Sequence, residues 1–326
     1  MALELLTLTT PMLTYLLKRI LYALPVAFGV SIVCFLLVHI APGDPLNSVL
    51  PPDASAELQA QMRQVYGFDR PLPVQYGLWL TKILHGDLGT SIATGRPVFT
   101  EIRDAMANTM VIAVMATILG FVFGCLFGFV AGYFRGSWID RLTSLISIMG
   151  VSVPHYWLGM VLVIIFSVTL GWLPAVGAGP AGGSRFDWTH MRFTILPAIT
   201  LSVIPMGIIA RTVRALVADI LSQDFVTALR AKGILDGGIF RHVVKNAAPT
   251  ALSVMGLQLG YLLGGSILIE TVFSWPGTGF LLGTAIFQRD LPVLQGTILV
   301  LAFFFVLLNM IVDIVQALLD PRVQRS

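Results

Sequence analysis

Six apolar runs divide this chain, and they limit what it can fold into more than any other feature. They lie at 20–38, 105–132, 142–172, from 195 to about the pair Arg211 and Arg214, at 249–269 and at 291–312. A helix needs about 20 predominantly apolar residues to cross a bilayer. Charged residues make up 11% of the chain, against about 25% in soluble domains. The chain is therefore predicted to be an all-α polytopic membrane protein with six transmembrane helices.

The distribution of lysine and arginine predicts the orientation of these helices, because basic loops beside a span tend to stay in the cytoplasm. An even number of spans puts both termini on one side. With both termini cytoplasmic, the inside segments hold 12 of the 20 basic residues: Lys18, Arg19, Arg135, Arg141, Arg211, Arg214, Arg230, Lys232, Arg241, Lys245, Arg322 and Arg325. The first run is too long for a cleaved signal peptide and is interpreted as a span. Met1 and Met12 both remain possible starts.

These spans imply three regions. Residues 1–40 form a cytoplasmic N-terminus and the first span, and residues 41–104 form an extracytoplasmic loop region. Residues 105–326 form a core of spans two to six, which contains a cytoplasmic loop at 217–248. Segment 271–288 is uncharged but interrupted by Pro276, Gly277 and Gly279, so it is interpreted as a re-entrant or surface hairpin and not as a seventh span.

The loop at 217–248 contains the pattern of a short, capped helix over 224–233. Ser222 is the predicted N-cap, and Gly233 is predicted to take the left-handed conformation that closes a helix. The charge is negative at the start of the helix, at Asp224, and positive at its end, at Arg230 and Lys232. Apolar residues recur every four positions, at Leu221, Phe225 and Leu229. Such a helix either binds a partner or rests on the bilayer surface.

Motifs of catalysis are absent from the sequence. No Gly-Lys pair occurs, which excludes a P-loop, and neither a zinc-protease helix nor a nucleophile elbow is present. No catalytic or metal-binding residue is predicted. Cys34 and Cys125 both fall in apolar runs and are interpreted as small core residues. The net charge of +3 is spread over many short loops, which does not favour nucleic acid as a partner.

Polar residues inside the spans are few. Gln258 and Asn309 are the best candidates for a translocation path, although either could instead form hydrogen bonds between helices. An ion-coupled carrier needs ionisable groups near the middle of the bilayer. The nearest such groups are Glu270 and Asp313, at span ends. Transport driven by a partner protein that supplies energy is therefore favoured. An ATP-independent carrier or channel is the alternative.

Nine short stretches together resemble a known family. The helix at 224–233 resembles the cytoplasmic loop of permease subunits in binding-protein-dependent ABC importers. From Met12 onwards the chain is similar to the first permease subunit of dipeptide and oligopeptide importers, a group that includes glutathione and nickel permeases. The stretches are Lys18-Arg19, Val38-His39-Ile40-Ala41-Pro42-Gly43-Asp44-Pro45, Gly86-Asp87-Leu88-Gly89, Ile195-Leu196-Pro197, Arg230-Ala231-Lys232-Gly233, Asn246-Ala247, Ser274-Trp275-Pro276-Gly277-Thr278-Gly279, Arg289-Asp290-Leu291-Pro292-Val293 and Asp320-Pro321-Arg322. The chain departs from the family's pattern at Phe225, Leu229, Pro249 and Leu291.

The resemblance implies a type I ABC importer transmembrane domain with a five-helix core, in a bacterial inner membrane. The loop helix would contact an ATP-binding subunit, and Phe225 and Leu229 would be its packing residues. The residues implied in this contact are Asp224, Phe225, Ala228, Leu229, Arg230, Ala231, Lys232 and Gly233. The extracytoplasmic binding protein would face Ser274, Trp275, Pro276 and Gly277. The implied partners are a second permease subunit, two ATP-binding subunits, the binding protein and the lipid bilayer.

The same resemblance implies a non-enzymatic subunit. ATP and Mg would be bound by the partner subunits, and this chain would bind no cofactor. The implied solute is a short peptide, a dipeptide or an oligopeptide. Glutathione, nickel and other small solutes remain open.

Overall fold

A computed structural model describes residues 21–22, 24–36, 55–66, 69–180 and 187–319. Within these ranges the chain is almost entirely helical, and an isolated bridge joins Thr90 and Pro97. The helices are α1 (Leu24–Leu36), α2 (Ala56–Tyr66), α3 (Leu72–Leu84), α4 (Val98–Tyr133), α5 (Trp138–Ser152), α6 (His155–Leu162), α7 (Trp188–Leu221), α8 (Asp224–Ala231), α9 (Asp236–Val272), α10 (Thr278–Gln288) and α11 (Leu291–Leu319). A π-helix, Val163–Thr169, follows α6. The expectations for Lys18, Arg19, Pro42 and Asp320 fall outside the described residues.

In the described part of the chain, three to five helices are candidate membrane spans by their length and composition. Val98–Tyr133, Trp188–Leu221 and Leu291–Val312 are each long and apolar enough to cross a bilayer. Two bent helix pairs raise the number to five if each pair forms one span. The predicted first span is described only in part, as a helix over Leu24–Leu36. The all-helical polytopic class is thus confirmed, but the predicted number of six is not.

The predicted third span, 142–172, is not one continuous helix. Trp138–Ser152 and His155–Thr169 meet at an angle of 104°. Val153 takes an extended conformation (φ −82°, ψ 128°) directly before Pro154. A proline lacks an amide hydrogen, and its ring disfavours helical conformation in the residue before it. The prediction of one span missed this bend because it weighed only charge and hydropathy.

The chain divides into two compact units. One contains Met1–Asn108 and Pro276–Leu307, and the other contains Thr109–Trp275 and Leu308–Ser326. In the second unit, α7 packs against α5 and α9. Its two internal prolines and the small residues around them are buried, which leaves room for close helix contacts.

Glycines on α4 allow α7 to come close. A Cβ atom built on Gly128 would lie 2.5 Å from the carbonyl oxygen of Ala210 and 2.7 Å from the Cβ of Val213. Gly124 and Gly132 meet α7 in the same way, one turn before and one turn after. Small residues four positions apart let two helix backbones approach each other in a membrane. The four-residue spacing of these glycines is therefore a packing face of α4.

In the first unit, a buried carboxylate joins two parts of the chain that are distant in sequence. Asp290 is 2% exposed. Its Oδ2 accepts hydrogen bonds from the Ser91 hydroxyl (2.6 Å) and the Ala93 amide (3.1 Å), and its Oδ1 accepts one from the Val293 amide (3.3 Å) at the start of α11. The Asp290 side chain therefore caps α11 and anchors the turn at 91–94 together.

Candidate functional site

The predicted short helix is present as α8, Asp224–Ala231. Its N-cap is Gln223, in extended conformation, and its first turn contains Asp224. The prediction of Ser222 as N-cap is wrong. Helix α7 continues to Leu221, so Ser222 follows its last turn and donates its hydroxyl proton to the Asp219 carbonyl oxygen at 2.7 Å. A hydroxyl engaged with the preceding helix cannot also cap α8.

Gly233 closes α8 as predicted. It has φ +76°, the left-handed region that favours glycine. The Gly233 amide donates to the Arg230 carbonyl oxygen at 2.9 Å, and the Ile234 amide donates to the Leu229 carbonyl oxygen at 3.2 Å. This pair of bonds is the Schellman motif, which satisfies carbonyl groups that a helix end would leave without partners. The chain can then turn sharply into α9 at Asp236.

Val226 attaches α8 to the rest of the second unit. Its side chain is 0% exposed and belongs to a core cluster with residues of α7 and α9. Phe225 is half-buried and packs against the same cluster. The other members nearby are Val217, Ile220, Ile239 and Val243. An eight-residue helix is unstable alone in water, so this apolar contact holds α8 in place.

The outward face of α8 consists of small and charged residues. Asp224, Thr227, Ala228 and Ala231 are exposed, whereas Phe225 and Leu229 are half-buried. The exposed residues recur at three- and four-residue spacings and so share one face, opposite Val226. Arg230 and Lys232 are exposed as well. Phe225 thus lies against this chain's own core, which changes the interpretation that it is a packing residue for a partner.

An ion pair supports the helix that leads to α8. The Arg214 guanidinium on α7 bonds both carboxylate oxygens of Asp140 on α5, with Nε–Oδ1 at 2.5 Å and Nη2–Oδ2 at 2.9 Å. Asp140 also accepts the amide proton of Gly136 at 2.9 Å, and its side chain is 5% exposed. A bidentate pair fixes geometry as well as distance. Sequence reasoning used Arg214 only as a sign of orientation and missed this partner.

The two predicted translocation-path residues lie on different helices. Gln258, on α9, is half-buried, and its Oε1 is buried and has no hydrogen-bond partner among the described residues. Asn309, on α11, is half-buried. A buried amide oxygen without a partner is energetically costly, which is consistent with a site that a ligand or water completes. The translocation role of both residues stays a prediction.

The four residues predicted to face a binding protein are divided by burial. Ser274 and Pro276 are exposed, but Gly277 is buried and Trp275 is only 3% exposed. Trp275 belongs to a core cluster with Phe273, Ile269 and Leu262. The indole ring therefore does not lie on the surface of this chain, and contact of these four residues with a binding protein stays a prediction. The motif residue is instead part of the hydrophobic core.

A cleft of about 300 Å³, lined by both polar and apolar side chains, adjoins Pro276 in the first unit. It lies between the start of α4 and helix α10, and Arg96, Glu101, Asn108 and Gln288 contribute to its walls. The Asn108 side-chain amide donates to the Pro276 carbonyl oxygen at 2.8 Å. Thr94 donates its hydroxyl proton to Glu101 at 2.5 Å. Among the described residues no group of three or more potential metal ligands occurs.

These features define a class. Bilayer-length helices that pack through glycines and prolines, with a small capped helix held between two of them, are those of a multi-spanning helical membrane protein. Residues 124–325 match the model of the family described as binding-protein-dependent transport system inner membrane component. Residues 12–116 match the corresponding N-terminal family model. The chain belongs to this family of ABC importer permeases.

Similar proteins align with this chain over almost its whole length. The chain is 40% identical over 332 residues to the dipeptide transport system permease protein of Alkalihalophilus pseudofirmus, covering 96% of this chain and 100% of the relative. It is also 40% identical to the glutathione transport system permease protein of Salmonella paratyphi A, covering 96% and 99%. The Escherichia coli K12 protein of that name is 39% identical, with the same coverage.

A solved structure agrees in fold. The inward-facing MetNI methionine ABC transporter aligns with a TM-score of 0.55 at 19% identity, over 68% of this chain and 97% of the matched chain. At this identity the comparison supports the predicted fold, that of the transmembrane part of an ABC importer. The α8 segment and both bent helix pairs fall within the region that the family model matches.

Proposed function

We propose that this chain is the permease subunit of an ATP-driven importer for short peptides, and that α8 transmits force from an ATP-binding subunit. Relatives named for dipeptide and for glutathione transport support a peptide-like solute. The two cargoes share an amine, carboxylate groups and amide bonds. In this proposal the chain binds no nucleotide, and ATP and Mg are bound by two partner subunits. A second permease and an extracytoplasmic binding protein complete the importer.

The observation that carries the proposal is the way α8 is attached. Val226 fixes one side of the helix in a core shared with α7 and α9, so a displacement of α8 is transmitted to both long helices. The opposite side exposes Ala228 and Ala231, and such small side chains let a partner approach the helix backbone closely. Leu235, just beyond the helix, is 83% exposed and adds apolar surface.

The test uses the chain co-expressed with candidate ATP-binding subunits from the same organism. The double variant Ala228→Trp, Ala231→Trp enlarges the outward face of α8 without touching Val226. We expect it to lower co-purification of the ATP-binding subunits and dipeptide uptake by about tenfold or more, a change of about 1.4 kcal/mol in binding. The matched control is Ala56→Trp, Ala60→Trp on α2, whose alanines are also exposed. Equal co-purification of the two variants would overturn the role of α8.

The solute is tested separately. Uptake of a labelled dipeptide into vesicles that contain the assembled importer should be competed more strongly by unlabelled dipeptides than by glutathione. The reverse order would retain the importer class and replace its cargo with glutathione. Orientation is tested by labelling a single cysteine placed at Thr227, which we expect to react only from the cytoplasmic side. Gradient-driven uptake by the chain alone would support the alternative, an ATP-independent carrier.

A further inference from the structure

Three helices of the second unit enclose an apolar groove of about 440 Å³ beside the α8 core. Helix α4 contributes Cys125 and Phe129, and α7 contributes Val217. Helix α9 contributes a row of small residues, Ala247, Ala248 and Ala251. Every side chain that lines the groove is apolar or a cysteine. A peptide carries polar groups that such a surface cannot satisfy, so the groove is unsuited to the transported solute.

The dimensions of the groove indicate what it can hold. Its lining on α9 runs from Phe240 to Met255, a length of about 22 Å at 1.5 Å per residue. A volume of about 440 Å³ over that length gives a mean cross-section of about 20 Å². A complete helix about 10 Å in diameter has a cross-section of about 80 Å², so a helix of another subunit could insert only part of its side chains into this open groove. A single extended alkyl chain is narrow enough.

One end of the groove is basic. There, the rings of Phe129 and Phe240 meet edge to face, with centroids 4.7 Å apart. Exposed Arg241 follows Phe240 directly, and exposed Lys245 lies one turn further along α9. Arg135, two residues after the end of α4, is also exposed. The acidic residues at the same helix ends are Asp219 and Asp236, which leaves a basic excess.

The other end of the groove is uncharged. Beyond Lys245, helix α9 contains no charged residue before Glu270, so the stretch from Asn246 to Ile269 is neutral. An occupant that matches both ends therefore has an anionic head and an apolar tail. Basic pockets between transmembrane helices bind the head groups of anionic lipids in this way.

We propose that this groove binds one acyl chain of an anionic phospholipid, whose phosphate contacts Arg241 and Lys245. The bound chain covers apolar surface on α4, α7 and α9 next to the cluster that holds Val226. The site does not depend on what α8 binds, and it stands or falls separately from the importer function. A second copy of the chain is the competing occupant.

The experiment uses the full-length chain, purified and stripped of lipid. Retention of phosphatidylglycerol and of phosphatidylcholine with identical acyl chains is measured by native mass spectrometry. Alkylation of Cys125 by N-ethylmaleimide reports occupancy of the groove, and peptide mapping separates it from Cys34, which is buried. We expect phosphatidylglycerol to bind at least about tenfold more tightly than phosphatidylcholine and to slow Cys125 alkylation in proportion to its occupancy.

Two variants separate the head-group site from the acyl-chain site. Arg241→Gln with Lys245→Gln should weaken phosphatidylglycerol binding about thirtyfold, the factor for two basic residues near an anionic surface. The matched control, Lys82→Gln with Arg192→Gln, removes two exposed basic residues elsewhere and should leave binding unchanged. Ala248→Phe fills the groove and should abolish retention of both lipids.

Several results would overturn the proposal. These are equal retention of the two lipids, an unchanged affinity in the Arg241 and Lys245 variant, and Cys125 alkylation that does not respond to phosphatidylglycerol. Protection of Cys125 that rises with protein concentration, and not with lipid, would assign the groove to a second copy. If Ala248→Phe fails to fold, the Arg241 and Lys245 variant still decides, because both of its positions are exposed.

Discussion

Two connecting segments of this permease are held in place by opposite kinds of interaction. Helix α8 is fixed by the buried apolar side chain of Val226, whereas the turn at 91–94 is fixed by hydrogen bonds to the buried carboxylate of Asp290. Burial of an apolar side chain stabilises a contact without requiring a particular orientation. Hydrogen bonds to a charged acceptor require a specific geometry between donor and acceptor. The comparison shows that α8 is an exposed helix, whereas Asp290 acts as an internal brace, that is, a buried side chain that holds the turn at 91–94 in place.

The displayed helix leaves its polar and small residues available. Only Val226 of α8 is fully buried, and the face that carries Asp224, Thr227 and Ala228 is exposed. The braced turn uses its polar residues internally, because Ser91 is 3% exposed and donates to Asp290. Substitutions should therefore have opposite effects in the two segments: a polar change is harmful inside the α8 contact, and a loss of polarity is harmful in the turn.

The largest effect is expected for Val226→Asp. It places an uncompensated charge in the core of the second unit and should lower the free energy of unfolding by about 3–5 kcal/mol. The measurement is the midpoint of thermal unfolding in detergent, followed by size-exclusion chromatography, together with proteolysis between Leu221 and Asp236. Thr227→Asp is the matched control, since Thr227 is exposed. If both variants were equally stable, α8 would not be held by Val226.

A smaller effect is expected for Asp290→Asn. The amide keeps the size of the side chain but weakens three hydrogen bonds that now end on a charged acceptor, which should cost about 1–3 kcal/mol. Asp104→Asn is the control, because its pair with Arg96 is surface-exposed and should contribute at most about 1 kcal/mol. Thermal unfolding of both variants gives the comparison. A larger loss for Asp104→Asn would contradict the assignment of Asp290 as the brace.

The smallest effect is expected for Ser222→Ala. Its hydroxyl bonds the end of α7 and is exposed, so the variant should differ from the parent by about 0.5 kcal/mol or less. If Ser222 were the N-cap of α8, the loss would be about 1 kcal/mol, and uptake would fall with it. Thermal unfolding and dipeptide uptake distinguish the two assignments.

Local signals in the sequence predicted α8 well and its environment poorly. The acidic start and the closing Gly233 are local features, and both appear where expected. The periodicity of Leu221, Phe225 and Leu229 suggested the buried face but omitted Val226, because adjacent apolar residues on a short helix leave the direction of the face ambiguous. Neighbouring α7 and α9 decide which of these side chains is fully buried.

The same limit explains why the burial of Trp275 was not predicted. Trp275 follows a sharp turn whose residue Ser274 has φ 46°, and the sequence gives no sign that this turn directs the indole into a core. Asp290 and Ser91 are 199 residues apart in the sequence. Contacts at such separations leave no periodic trace in the sequence, so the pattern of charges alone could not identify the brace.

Composition and local pattern determined that this chain is a helical membrane protein, where its long helices lie and that a capped helix separates two of them. These properties follow from the solvent that each residue prefers and from hydrogen bonds between near neighbours. The tertiary structure decided that the segment 142–172 bends by 104° and that Val226 anchors α8. It also decided that α7 packs closely against α4 at Gly128. Such properties depend on which surfaces meet, and close packing makes that outcome sensitive to single atoms.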